Sequence, residues 1–93
     1  MRHIDTSGNF RKQYKLMMKR GKPDQSIKDI ITKLSNDVPL PPANRDHPLS
    51  GDYSGYRDCH IEPDWLLIYK KSKSEDGKGI LFLEATGTHS DLF

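Results

Sequence analysis

The 93-residue chain has a single cysteine, a single tryptophan and no apolar run approaching the length of a membrane span. With Cys59 alone, an internal disulfide and a cysteine-based zinc site are both excluded. Cys59 lies in a strand-like run and reads as a small buried hydrophobe rather than a nucleophile. The first residues, Met1-Arg2-His3-Ile4-Asp5, carry no apolar stretch of the kind a signal peptide needs. The expectation is therefore a cytoplasmic protein that makes no membrane contact. A strong charge of one sign is also missing. Fifteen Lys and Arg against thirteen Asp and Glu leave a net charge of only +2, which does not by itself announce nucleic acid.

What the chain does have is periodic apolar residues, 33% of the total, and 30% charged ones. That suits one compact domain over residues 1–93 with a small core and a charged surface. Charge is unevenly placed. Arg11, Lys12, Lys15, Lys19, Arg20, Lys22, Lys28 and Lys33 face only Asp24 and Asp29 in the same span. Such a field attracts phosphates, although a solvated helix face has the same composition.

Ser7 can cap a helix whose Phe10, Tyr14, Met17 and Met18 share one face. Gly21 supplies a left-handed stop. Pro23 and Asp24 then open a second helix with Ile27, Ile30, Ile31 and Leu34 as its stripe. From Val38 to Asp52, Pro39, Pro41, Pro42 and Pro48 forbid helix or central strand, so an extended loop is expected. Loops of that length in compact domains are often functional. Strands follow at Tyr56–Ile61, Trp65–Lys71 and Ile80–Ala85, separated by a turn at Pro63 and an Asp76-Gly77 hairpin loop. The first residues add a short edge strand. The fold class is α+β, an αα-hairpin packed on one face of a small antiparallel sheet.

Three of the four histidines, His47, His60 and His89, fall in the loop-and-strand half. Alternation puts Tyr56, Asp58 and His60 on one side of their strand, and the turn at Pro63 returns Asp64 and Trp65 toward its end. If the last strand pairs beside the second, His47, His60, Asp64 and His89 gather at one end of the sheet. Imidazole titrates near neutrality, so one ring can accept a proton while another donates one. RNA brings its own nucleophile, the 2′-hydroxyl, and its cleavage needs a base, an acid for the leaving 5′-oxygen and cations for the crowded phosphorane. Asp64 orients a histidine or moves a proton itself, and Lys70 and Arg57 are candidate charge stabilisers. Other readings stand beside these. Asp58 can pair with Arg57 or a lysine, and Trp65 and Tyr69 can be core aromatics or stacking platforms. Three imidazoles and a carboxylate can also hold zinc, although the spacing contains no short metal motif. The reading therefore calls for no cofactor and no metal.

Three stretches carry a resemblance. Asp46-His47-Pro48-Leu49-Ser50-Gly51, followed by Gly55-Tyr56-Arg57-Asp58-Cys59-His60-Ile61-Glu62-Pro63-Asp64-Trp65-Leu66-Leu67-Ile68-Tyr69, resembles YafQ toxins, and so does the ending Thr86-Gly87-Thr88-His89-Ser90-Asp91-Leu92-Phe93. The likeness covers about the last fifty residues, with extra residues in the hairpin loop near Ser74–Lys78, while the helical half agrees in pattern. The resemblance implies the RelE/ParE toxin fold and a ribosome-dependent messenger RNA endonuclease that cuts in the ribosomal A site. It also implies contacts to ribosomal RNA and silencing by an acidic antitoxin of the DinJ/RelB kind. Carried over by position, the site residues are His47, Asp58, His60, Asp64, Trp65, His89 and Phe93. His47 and His60 would take the proton or contact phosphate, and His89 would protonate the leaving group. One position departs from the pattern: Ala85 stands where such toxins often have an arginine. ParE relatives, which inhibit DNA gyrase without cutting RNA, supply the alternative function.

Overall fold

In the computed structural model, which describes residues 1–93, the chain runs β1 (His3–Thr6), α1 (Gly8–Lys19), α2 (Asp24–Ser35), β2 (His47–Pro48), β3 (Arg57–Glu62), β4 (Trp65–Lys73), β5 (Gly79–Gly87) and α3 (His89–Leu92). Short 3₁₀ turns at Pro42–Asn44 and Gly51–Tyr53 flank β2. Ser7 caps α1, its hydroxyl accepting from the Phe10 amide at 2.8 Å. The helix ends in a Schellman closure. Gly21, at φ 83°, donates to the Met18 carbonyl, and Lys22 donates to that of Met17, both at 3.1 Å. Only glycine takes that φ without strain, so the hairpin turn is written into one residue.

The five-stranded sheet has the order β1-β5-β4-β3-β2. Its β3-β4-β5 centre is antiparallel, as the strand pattern implies. At one edge β1 pairs parallel with β5, His3 beside Ile80 and Thr6 beside Leu83, so the sheet is mixed rather than wholly antiparallel. Chain direction decides this: α1 and α2 separate β1 from the rest, and no hairpin reverses it. At the other edge, two residues of the proline-rich loop form β2, His47 beside Asp58. Pro48 is tolerated there because an edge strand does not need its missing N–H.

One face of the sheet carries Cys59, Trp65, Leu67, Tyr69, Leu81 and Leu83, which close over Phe10, Met17, Ile27, Ile30 and Leu34 of the helices. The alternate residues Leu66 and Ile68 are fully buried as well, on the opposite face. Each buried side chain of this size contributes about 1.5–3 kcal/mol, so β4 is the most heavily buried strand. Cys59 is fully buried and burial pushes its thiol up, in keeping with a packing role.

Candidate active site

The site stands on the sheet face away from the helices. His60 pairs with Leu66 and Asp58 with Ile68, so both polar residues sit beside an apolar floor. Asp58 is only 4% exposed, and its Oδ1 has no hydrogen-bond partner. Burial pushes its carboxyl upward, opposed by His47, His60 and His89, whose rings favour the carboxylate when they carry a proton charge. These three histidines, distant in sequence, thus act on one carboxylate.

The edge pairing of β2 with β3 delivers His47, whose Nε2 lies 3.7 Å from Asp58 Oδ2. Its Nδ1 is 2.6 Å from the Arg45 carbonyl. A carbonyl only accepts, so Nδ1 carries the hydrogen and Nε2 is left to accept a proton. His89 is held likewise. Its Nδ1 and main-chain N–H donate to Asp64 Oδ1 at 2.7 and 3.0 Å, which again leaves Nε2 free. Those two bonds hold the Asp64 carboxyl below its ordinary value. The ring of His89 meets that of His60 edge-on, with centroids 5.4 Å apart.

His89 owes its place to the Gly-Thr-His run. Thr88 and Asp91 form a reciprocal capping box that starts α3 at His89. A Cβ on Gly87 would stand 2.9 Å from that of Asp91, so only glycine admits the box. Asp91 also accepts from Arg20 at 2.7 Å, tying α3 to the end of α1. The Arg20 bond, followed by the Thr88 amide, lowers the Asp91 carboxyl to about 2.

Beside His60 and His89 opens a cleft of about 410 Å³, lined also by Asn44, Arg45 and Glu62. Asn44 anchors its wall, donating to the His60 carbonyl at 2.7 Å. An aromatic chain borders the cluster: Tyr56 meets Tyr53 edge-on at 6.2 Å, and Tyr53 meets the exposed Phe93 at 6.0 Å. Lys70 Nζ lies 4.9 Å from the Tyr56 ring centroid.

The structure brings together His47, Asp58, His60, Asp64 and His89, with Lys70 and Phe93 at the border. It does not bring Arg57 or Trp65. Arg57 pairs with Tyr69 on the helix face, and its Nε bonds Asp46, which also accepts from the Tyr69 hydroxyl. Trp65 is fully buried, its Nε1–H donating to Thr86 Oγ1 at 2.9 Å, so it is a core aromatic with no ring face for a base. Asp64 serves His89 rather than His60, because α3 turns back over the β3–β4 turn. Asp58 faces His47 and does not pair with Arg57. Arg45, Asn44 and Tyr53 were not singled out from the sequence, since lone polar residues in a loop carry no periodic signal. The Thr88–Asp91 spacing is a capping-box pattern and could have been read. No three His, Cys, Asp or Glu side chains are arranged as ligands of one metal ion.

Comparison with known proteins identifies the family. The profile of the family described as "Bacterial toxin of type II toxin-antitoxin system, YafQ" matches residues 2–93. The mRNA interferase toxin YafQ of Escherichia coli K12 is 46% identical over 93 residues, covering 99% of this chain and 96% of that protein. Among solved structures, YafQ in the E. coli DinJ–YafQ toxin–antitoxin complex superposes with a TM-score of 0.86 at 46% identity, covering 99% of this chain and 97% of that one. A metal-bound toxin from Helicobacter pylori superposes at 0.89 with 39% identity and full coverage of both chains.

Proposed function

Because the chain belongs to the YafQ family of type II toxin–antitoxin toxins, we propose that it is an mRNA interferase whose histidine cluster cuts ribosome-bound messenger RNA. The observation that carries this reading is the paired tautomer lock. His47 and His89 each have Nδ1 tied to an acceptor, so each presents Nε2, the one 3.7 Å from the buried Asp58 and the other on a ring 5.4 Å from that of His60.

Two imidazoles so presented suit internal transfer at a phosphodiester. His47 Nε2 takes the proton of the 2′-hydroxyl, whose oxygen attacks phosphorus. The P–O5′ bond breaks, and His89, which enters this step as the imidazolium paired with Asp64, gives its Nε2 proton to the leaving 5′-oxygen. The products are a 2′,3′-cyclic phosphate and a 5′-hydroxyl, with every proton accounted for by the two rings. Asp64 fixes the ring of His89, and His60 lies against it. Asp58 supplies negative charge against the imidazolium formed at His47. Tyr53 and Phe93 offer ring faces to an unstacked base, and Lys70 stands near the border as a phosphate contact. Each proton-transfer group contributes roughly 10²- to 10⁴-fold.

On this reading Lys12, Lys15 and Lys19, spaced along one side of α1, meet ribosomal RNA. The partner is an acidic antitoxin of the DinJ kind, as in the complex of the E. coli relative. No helix is long and apolar enough to cross a membrane, and a ribosomal target places the action in the cytoplasm. The test is primer extension on messenger RNA after induction. New 5′ ends are expected with the wild type and absent with His89→Ala. Growth arrest without new ends would reject nuclease action in favour of a gyrase-directed toxin.

A further inference from the structure

Phosphodiester cleavage needs a cation at the non-bridging oxygens, where charge accumulates in the transition state. The cations suggested by sequence do not fill that role well. Arg57 is on the wrong face and is occupied by Asp46, and Lys70 is drawn over the Tyr56 ring. Ala85 is fully buried and brings no charge.

We infer that Arg45 is the cation that meets the scissile phosphate. It lines the cleft beside His60 and His89, and its guanidinium makes no ion pair or hydrogen bond within the chain. The carboxylates nearest to it in sequence and in the cleft are already spent: Asp46 on Arg57 and Tyr69, Glu62 on Lys22 at 2.9 Å. The guanidinium is thus left free in a cleft whose acidic groups are neutralised, as an anion site requires. A planar fork of donors suits two phosphate oxygens at once.

The backbone supports the same assignment. Arg45 is left-handed, with φ 47° and ψ 44°, a conformation that arginine adopts at a cost and glycine adopts freely. Its amide closes the Pro42–Asn44 turn by donating to Pro42 at 3.1 Å, and its carbonyl locks His47. Glycine would serve both main-chain purposes without strain. The guanidinium is what glycine cannot provide.

That contrast supplies the experiment, which rests on the reading of the chain as a nuclease. Wild type, Arg45→Gly and Arg45→Lys are compared in single-turnover cleavage of ribosome-bound messenger RNA, with melting midpoints and pH–rate profiles. Arg45→Gly is expected to melt at the same temperature or higher yet to cut about 10²-fold slower. Its pH–rate profile should keep its shape, since the carbonyl still holds His47, and Arg45→Lys should recover part of the rate. Binding of a 2′-deoxy, uncleavable messenger should change far less than the cleavage rate. Arg45→Gly cutting at the wild-type rate overturns the inference and leaves the nuclease reading intact. A slow variant with a lower midpoint or a distorted pH profile also overturns it, in favour of a structural role. A wild type that does not cut overturns the nuclease reading and this inference with it.

Discussion

Asp58→Asn should make the protein more stable and less active. The wild-type carboxylate is 4% exposed, one oxygen has no partner, and His47 Nε2 stands 3.7 Å from the other. Leaving a buried polar group unsatisfied costs about 1–3 kcal/mol. An amide is neutral and can donate to the His47 Nε2 lone pair, so about 1–2 kcal/mol should be recovered at pH 7. For a domain of this size, each kcal/mol raises the melting midpoint by about 4–8 °C. The sign with pH follows from the upward displacement of the Asp58 carboxyl. A raised acid contributes stability below its unfolded value and loses it as pH rises through its folded value. The advantage of Asn is therefore full at pH 7 and shrinks as pH falls toward the ordinary carboxylate range near about 4. Urea titrations of both proteins at several pH values measure it. Cleavage should fall about tenfold or more, equivalent to about 1.4 kcal/mol of lost transition-state stabilisation. A variant less stable than wild type at pH 7, or a gain that does not change with pH, would refute the account of a desolvated, underpartnered carboxylate.

Asp64→Asn keeps an acceptor for His89 but removes the charge. On so exposed a residue, stability should change by less than about 0.5 kcal/mol, while messenger cleavage falls about 10-fold or more. Trp65→Phe should cost about 1–3 kcal/mol in urea titration, from lost packing and the lost bond to Thr86 Oγ1, yet leave single-turnover cleavage by the folded fraction near the wild-type rate. Asp91, lowered to about 2 chiefly by Arg20, contributes stability above the ordinary carboxylate range and loses it as pH falls toward 2. Arg20→Ala should therefore lessen the acid sensitivity of the melting midpoint.

The helical hairpin was legible because its stripes and its stop are local. Phe10 through Met17, Ile27 through Leu34 and Gly21 specify it within one stretch of chain. The central strands were legible from alternation and turn residues. The parallel edge strand was not fully legible, because its register is set by pairing partners more than seventy residues away. The face that Arg57 takes is itself written in the alternation. If Asp58 and His60 share a face, the residue between Tyr56 and Asp58 points the other way. The same alternation sends Trp65 into the core, since Leu66 is the residue opposite His60. Arg45 left no trace in the pattern. Its interest lies in a left-handed backbone and an unpaired guanidinium, and both appear only once the chain is folded.

The division of labour between His47 and His89 is tested most directly by the pH dependence of single-turnover messenger cleavage in wild type, His47→Ala and His89→Ala. A bell is expected for the wild type, with its acid-side limb lost in His47→Ala and its alkaline limb lost in His89→Ala, each variant about 10²- to 10⁴-fold slower. A bell that keeps both limbs in either variant would contradict proton transfer by that ring.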